Sequence, residues 1–181
     1  MEVSMTGIIP SGNEELLLVK RAKQGDKNAF CNLIRDHKSS MYGVAKTILK
    51  EEEDIKDALS SSILKAYESI GVLRNDEYFK TWLIKIVINQ CYEICRKNNR
   101  VTFLDRDNKA SEERYVDTYE DLDLKRALDS LEEELKIIVK LYYYEDLSLK
   151  DMAKILETPQ GTLKSRLSRA RKKLYSILKE D

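Results

Sequence analysis

The stretch that decides the fold is LSLKDMAKILETPQGTLKSRLSRARKKL, residues 147–174. Ser148 stands three residues before Asp151, the spacing of a capping-box-like helix start. Leu149, Met152, Ala153, Ile155 and Leu156 then give a short helix with one apolar face. Ala153 falls where two helices must approach closely, which calls for a small side chain. Glu157 lies in the turn, where it must either take a left-handed backbone or shift the turn. Thr158 is a good N-cap. Pro159 suits the first helical position, where its missing N–H costs nothing. A second helix is expected from Pro159 to about Leu178, with Leu163, Leu167, Ala170 and Leu174 on its buried side.

The opposite side of that second helix is basic. Between Gln160 and Lys179 the charged residues are Lys164, Arg166, Arg169, Arg171, Lys172, Lys173 and Lys179, and no acidic residue interrupts them. A cationic helix after a tight turn fits the DNA major groove, with its N-terminal residues reaching base edges. Lys and Arg neutralise phosphates and give salt-dependent affinity. A charge run alone would indicate no more than a solvated helix face. The turn, the small Ala153 and the capped second helix are what point to a helix-turn-helix.

Upstream of this motif, Leu124, Leu128, Leu131, Leu135, Ile138, Val139 and Tyr142 form an amphipathic stripe, so this domain is expected over residues 121–181. Before it, residues 98–120 lose periodicity and collect Asn98, Asn99, Asp105, Asp107, Asn108, Glu112, Glu113 and Asp117, the composition of a flexible acidic linker. A first domain is expected over residues 14–97. Its apolar residues recur at three- and four-residue steps from Leu17 to Leu49, with a break at Gly25-Asp26 and Asp26 capping the second of the two helices. Further helices are expected over about Asp54 to Ser69 and Tyr78 to Lys97, joined by a polar connector from Gly71 to Glu77. Residues 1–13 read as a disordered leader.

The totals agree with an all-α, two-domain chain. Its 181 residues allow one medium domain or two small ones, and the 6 Gly and 2 Pro disfavour a turn-rich β fold. The net charge of zero, 32 basic against 32 acidic residues, hides the local asymmetry just described. Cys31, Cys91 and Cys95 make an odd count, which with no signal peptide indicates reduced thiols in the cytoplasm. No metal site or cofactor is expected, because zinc usually needs four ligands and only Cys31 is left to join Cys91 and Cys95.

Residues 128–174 resemble the −35-binding region 4 of sigma factors, most closely in the run from Pro159 to Arg171. The first domain resembles region 2 independently, in Lys23-Gln24-Gly25-Asp26 with Ala29-Phe30, and in Phe79-Lys80-Thr81-Trp82-Leu83 with Ile86 and Asn89. The order of domains is that of the extracytoplasmic-function type of the sigma-70 family, with no region 1.1 or region 3. The resemblance implies a non-enzymatic initiation factor. Region 2 would dock on the β′ clamp helices of core RNA polymerase and bind the −10 element. Region 4 would bind the β flap and the −35 element of promoter DNA. An anti-sigma factor, often membrane-bound, would hold the chain inactive. No small-molecule substrate is implied.

Carried onto this sequence, the resemblance gives Gln160, Thr162, Lys164, Ser165, Arg166, Ser168, Arg169 and Arg171 for the −35 element. For the −10 element it gives Leu73, Arg74, Asn75 and Asp76 in the connector. Lys80 and Lys85, with Arg96, Lys97 and Arg100, would then hold the backbone. Reading a melted strand needs polar groups for a flipped base's edge and cations for its phosphates. Phe79 and Trp82 read as core. Polymerase docking falls to Asp54, Asp57 and Ser61, although Lys56 stands where an acid is common and Ser60-Ser61 replaces Gln-Glu. A stand-alone helix-turn-helix regulator is the alternative. It explains the second domain and leaves residues 14–97 without a role. A thiol enzyme is a third reading.

Overall fold

Gly25 and Asp26 separate the first two helices for physical reasons that the sequence carries. In the computed structural model, which describes residues 12–102, 124 and 126–179, α1 spans Gly12–Lys23 and α2 spans Lys27–Ile48. Gly25 takes φ +93°, a left-handed conformation that favours glycine. The Asp26 carboxylate then caps α2 by accepting from the amides of Asn28 (2.9 Å) and Ala29 (3.1 Å), which satisfies two amides that the helix itself leaves without a partner. Arg21 grips the same carboxylate at 2.6 Å. The Ala29 amide and the Arg21 guanidinium hold its pKa below the usual carboxylate value. The first helix begins at Gly12, two residues inside the expected leader. The rest of that leader lies outside the described residues.

Helix α3 spans Glu52–Ser69 and is followed by two 3₁₀ turns, Ile70–Val72 and Asp76–Tyr78. Helix α4 spans Phe79–Thr102, running past the expected end near Lys97. The expected linker lies outside the described residues from residue 103 onward. Helix α4 packs against both α2 and α3, so its buried arc is wider than one stripe and adds Ile84 and Ile88 to Leu83 and Val87. Phe79 is fully buried at its start, against the rings of His37 and Trp82. Burial of such a ring contributes roughly 2–3 kcal/mol.

In the second domain, a helical stretch over 126–129 leads to α5, Glu133–Val139, which continues as a π turn over Lys140–Tyr144. Helices α6, Leu149–Ile155, and α7, Gln160–Lys179, complete it. Ser148 caps α6 as expected: its hydroxyl accepts from the Asp151 amide (3.1 Å) and donates to the Asp151 carboxylate (2.7 Å). Of the two options open to Glu157, the left-handed backbone is realised, at φ 51°. The Thr158 amide then bonds back to the Ala153 carbonyl, closing α6 in a Schellman-type turn.

The start of α7 differs from expectation. The Thr158 hydroxyl donates to the Leu156 carbonyl (3.0 Å), so it does not cap α7. The first helical bond, from the Leu163 amide, is accepted by Pro159. The turn needs Thr158 to finish α6, and Pro159 takes the position that Thr158 was expected to hold.

Helix α5 packs against α2, and α6 packs against α4. The buried apolar residues form one contiguous cluster from Val19 in α1 to Ala170 in α7. Among the described residues there are only helices and turns, with no strand.

Candidate nucleic-acid and polymerase interfaces

Helix α7 is anchored by Leu163, Leu167 and Ala170, all buried. At 3.6 residues per turn, Gly161, Ser165, Ser168 and Lys172 stand opposite those anchors, and all four are exposed. This outward face is narrow and small at its N-terminal end, and a Cβ at Gly161 would meet nothing within 4 Å. The backbone of α7 can therefore approach a surface closely there. Lys172 belongs to this face by the same spacing that places Ser165 and Ser168, and sequence reasoning passed over it.

The arginines flank that face and are engaged by their own domain. Arg166 pairs with Glu134 at 3.0 Å, Arg169 with Glu132 at 3.0 Å, and Lys173 with Glu132 at 2.8 Å. Lys173, and then Arg169, lower the Glu132 pKa. On the other flank, Arg171 donates to the Tyr143 hydroxyl (2.6 Å) and lies over the rings of Tyr142 and Tyr143. Gln160, Lys164, Arg169 and Arg171 are exposed, while Thr162 and Arg166 are half-buried. The eight residues expected to meet the −35 element thus share one helix, with Ser165 and Ser168 central and the arginines at its sides.

The connector before α4 is less uniform. Leu73 is buried, at 7% exposure, and belongs to the core. Asp76 is bound by Lys23 of α1 at 2.7 Å, and Lys23 also donates to the Leu73 carbonyl at 2.8 Å. Asn75 accepts from the Glu77 amide and starts the second 3₁₀ turn. Arg74 and Asn75 are exposed, as are Val72 and Tyr78 beside them. Leu73 and Asp76 therefore shape the loop, and its surface is presented by Val72, Arg74, Asn75 and Tyr78. Lys80 and Lys85 follow on α4, each hydrogen-bonded to the second domain. Arg96 and Lys97 are exposed further along that helix. The Arg100 side chain lies outside the described residues.

On α3, Asp57 and Ser61 are exposed one helical turn apart, and Leu64 continues the same face at 59% exposure. Asp54 is half-buried and accepts from the Asn98 side chain at 2.8 Å. An acidic and polar face with a bare leucine at its centre suits a protein partner better than DNA. Leu64 stands opposite the buried stripe of Ile55, Ala58, Ser62 and Ala66, and sequence reasoning passed over it.

Cys91 is buried and Cys31 exposed. Desolvation, reinforced by the neighbouring Cys95, pushes the Cys91 thiol up to about 12, and desolvation also raises Cys95. Thiols shifted this way stay protonated and are poor nucleophiles. No helix among the described residues is long and apolar enough to cross a membrane.

Comparison with known proteins gives the family of both domains. Residues 33–101 match the family model for Sigma-70 region 2, and residues 121–174 match that for Sigma-70, region 4. RNA polymerase sigma factor SigV of Bacillus subtilis is 34% identical over 167 residues, covering 89% of this chain and 98% of that protein. The ECF RNA polymerase sigma-E factor of Haemophilus influenzae is 34% identical over 170 residues, covering 85% and 89%. Among solved structures, the sigma factor RpoE of Bartonella quintana, in complex with the anti-sigma factor NepR, superposes with a TM-score of 0.70 at 24% identity. That match covers 84% of this chain and 98% of the other. CnrH in complex with the cytosolic domain of CnrY gives 0.67 at 21% identity, covering 93% and 99%. At those identities the two structures speak for the fold alone. Both domains are present in family order and the relatives are matched over most of their length, so the chain belongs to the extracytoplasmic-function RNA polymerase sigma factors, which are specificity factors of transcription initiation and not enzymes.

Proposed function

We propose that this chain binds core RNA polymerase and directs it to promoters carrying −35 and −10 elements. The observation that carries the reading is the outward face of α7, from Gly161 through Ser165 and Ser168 to Lys172, joined in one chain to a region 2 domain. Gln160, Thr162, Lys164, Ser165, Arg166, Ser168, Arg169 and Arg171 contact the −35 element, the N-terminal ones at base edges and the rest at phosphates. Lys172 joins the phosphate contacts. In the first domain, Arg74 and Asn75 meet an unstacked −10 base, while Leu73 and Asp76 hold the loop in shape. Lys80 and Lys85 take the strand's phosphates.

Asp57, Ser61 and the exposed Leu64 dock on the β′ clamp helices, with Asp54 beside them. The second domain meets the β flap. Residues 14–97 and 121–181 act as two units joined by residues 98–120. The chain works in the cytoplasm, and a membrane-bound anti-sigma factor holds it inactive by covering faces of both domains.

Run-off transcription tests this reading, using purified core bacterial RNA polymerase with and without the protein on a library of promoter fragments from the source genome. Specific transcripts that need the protein support it and reveal both promoter elements. If no start sites are gained, and the protein alone shifts duplex fragments, the chain is a stand-alone helix-turn-helix regulator instead.

A further inference from the structure

The loop before α4 turns two neighbouring residues outward, Arg74 and Asn75, and is pinned on either side of them. On the near side Leu73 is 7% exposed, with its side chain in the core and its amide bonded to the Ile70 carbonyl (3.1 Å). On the far side the Asn75 carbonyl accepts from the Tyr78 amide (3.1 Å), which closes the second 3₁₀ turn. These bonds fix each flank by itself. The separation of the two flanks is set by something else.

It is set from α1. Lys23 Nζ donates to the Leu73 carbonyl at 2.8 Å and to the Asp76 carboxylate at 2.7 Å. The two acceptors stand on opposite sides of Arg74 and Asn75 in the chain. Both are electron-rich oxygens, so without a cation between them they repel and the loop opens. An ammonium has three donors and no acceptor, so one lysine serves both at once. The Lys23 and Asp76 side chains are 25% and 18% exposed. Water therefore competes weakly for a contact that is already of the stronger, charge-assisted kind.

Lys23 is itself held in place. It lies in the last turn of α1, next to the buried Ala22 and one turn after the buried Val19. The Arg21 carbonyl accepts from the Asp26 amide at 3.1 Å, and Gly25 makes the left-handed exit from the helix. The end of α1 is thus a fixed post from which the ammonium reaches the loop. A group that reads a base must be kept within about half an ångström of its working position by the residues around it.

We propose that Lys23 is the positioning residue of the −10 loop: it clamps Leu73 to Asp76, and so sets how Arg74 and Asn75 meet the base and which base they prefer. The proposal rests on the reading of Arg74 and Asn75 given under Proposed function. Lys23 does not meet the strand. It acts through the loop, and it answers a carboxylate that would otherwise face a polyanion.

Two full-length variants test this. Lys23→Met keeps the length of the side chain and removes its donors. Lys20→Met removes the same charge from an exposed position on the same helix and leaves the clamp intact. Each protein is combined with core bacterial RNA polymerase. Run-off transcription is then read by sequencing on a promoter selected by the wild type, with its −10 element randomised in one library and its −35 element in another. The free proteins are also treated with trypsin, and cleavage after the exposed Arg74 is timed by mass spectrometry. With Lys23→Met, preference at one −10 position should fall about tenfold, the size of one mismatched base pair. The −35 preference should stay the same, and cleavage after Arg74 should become several times faster. Lys20→Met should behave as the wild type.

A Lys23→Met protein that transcribes less from every template, with its −10 preference intact, would overturn the proposal, because Lys23 would then serve stability alone. An equal loss of preference in Lys20→Met would also overturn it, by making the effect one of net charge. Unchanged cleavage after Arg74 would show that the loop is held without the lysine. If Lys23→Met fails to fold, Lys23→Gln, too short to reach both acceptors, decides by the same readouts. A wild type that gives no specific transcripts would sink the functional reading and this proposal with it, a result distinct from the others because it leaves no preference to compare.

Discussion

Two sets of carboxylates answer the basic surfaces of this molecule, and they do so differently. Glu132 and Glu134, 56% and 65% exposed, pair with Lys173, Arg169 and Arg166 of their own domain. Glu145, 3% exposed, pairs with Lys80 of the other domain. Exposed pairs within a domain contribute little and rearrange easily when a phosphate arrives. A contact whose carboxylate is buried between domains leaves that group unanswered when the lysine moves away, which is costly. The pairs on α7 can therefore rearrange within one domain, whereas the contact of Lys80 with Glu145 ties the two domains together.

The largest effect that probes this contrast is a cavity under α7. Leu163 is fully buried, and Leu163→Ala should cost about 2–5 kcal/mol, read from urea denaturation. Because the buried cluster runs unbroken through both domains, one transition should carry the whole loss. Two separated transitions, with only one shifted, would show that the domains fold independently and that the Lys80–Glu145 contact adds little between them.

A smaller effect tests how local the helix-turn-helix is. Ser148→Ala removes both the cap on α6 and the tie to Asp151, at about 1 kcal/mol. Thermal melting should drop accordingly while salt-dependent duplex binding at saturating protein stays the same. A changed salt slope would mean that the cap also positions α7.

The helix-turn-helix was legible because its determinants are neighbours in sequence. Ser148 reaches Asp151, Glu157 ends α6, and Leu163, Leu167 and Ala170 define the buried side of α7. The misplaced N-cap at Thr158 is a one-residue matter, decided by whether its hydroxyl serves the helix behind or the helix ahead. The Asp26 cap was legible for the same reason. The connector was not. Asp76 is bound to Lys23, 53 positions away, and Lys80 and Lys85 find their partners 65 and 69 positions away. Spacing along one helix carries no information about such contacts. Leu64 and Lys172 were missed for a milder reason: each stands opposite the buried side of its helix, where spacing shows that a residue is exposed and not what it meets.

Lys172 gives the next prediction. It is exposed on the outward face and has no ion pair among the described residues, so Lys172→Ala removes a phosphate contact without freeing a carboxylate. Duplex affinity of the full chain with core polymerase should fall about equally for all promoter sequences, and the salt slope should fall by about one. A loss confined to particular sequences would move Lys172 from phosphate contact to base readout.

The smallest effect concerns Glu132, where the contrast between the two carboxylate sets is sharpest. Its pKa is lowered, chiefly by Lys173 and then by Arg169. A carboxylate with a depressed folded pKa contributes its ion pairs in full above its unfolded value, near 4.5, and loses them as pH falls through the lower folded value. At neutral pH the pairs with Arg169 and Lys173 are therefore intact, and Glu132→Gln should release both cations. Because Glu132 is exposed, the released cations gain little: duplex affinity should rise by less than about threefold, a change that fades as salt is added. The radius of gyration in solution should not move, since the ion pairs of Glu132 lie within its own domain. A large rise in affinity would mean that the second domain's own carboxylates also restrain its DNA-binding face, and the difference between the two basic surfaces would become one of degree.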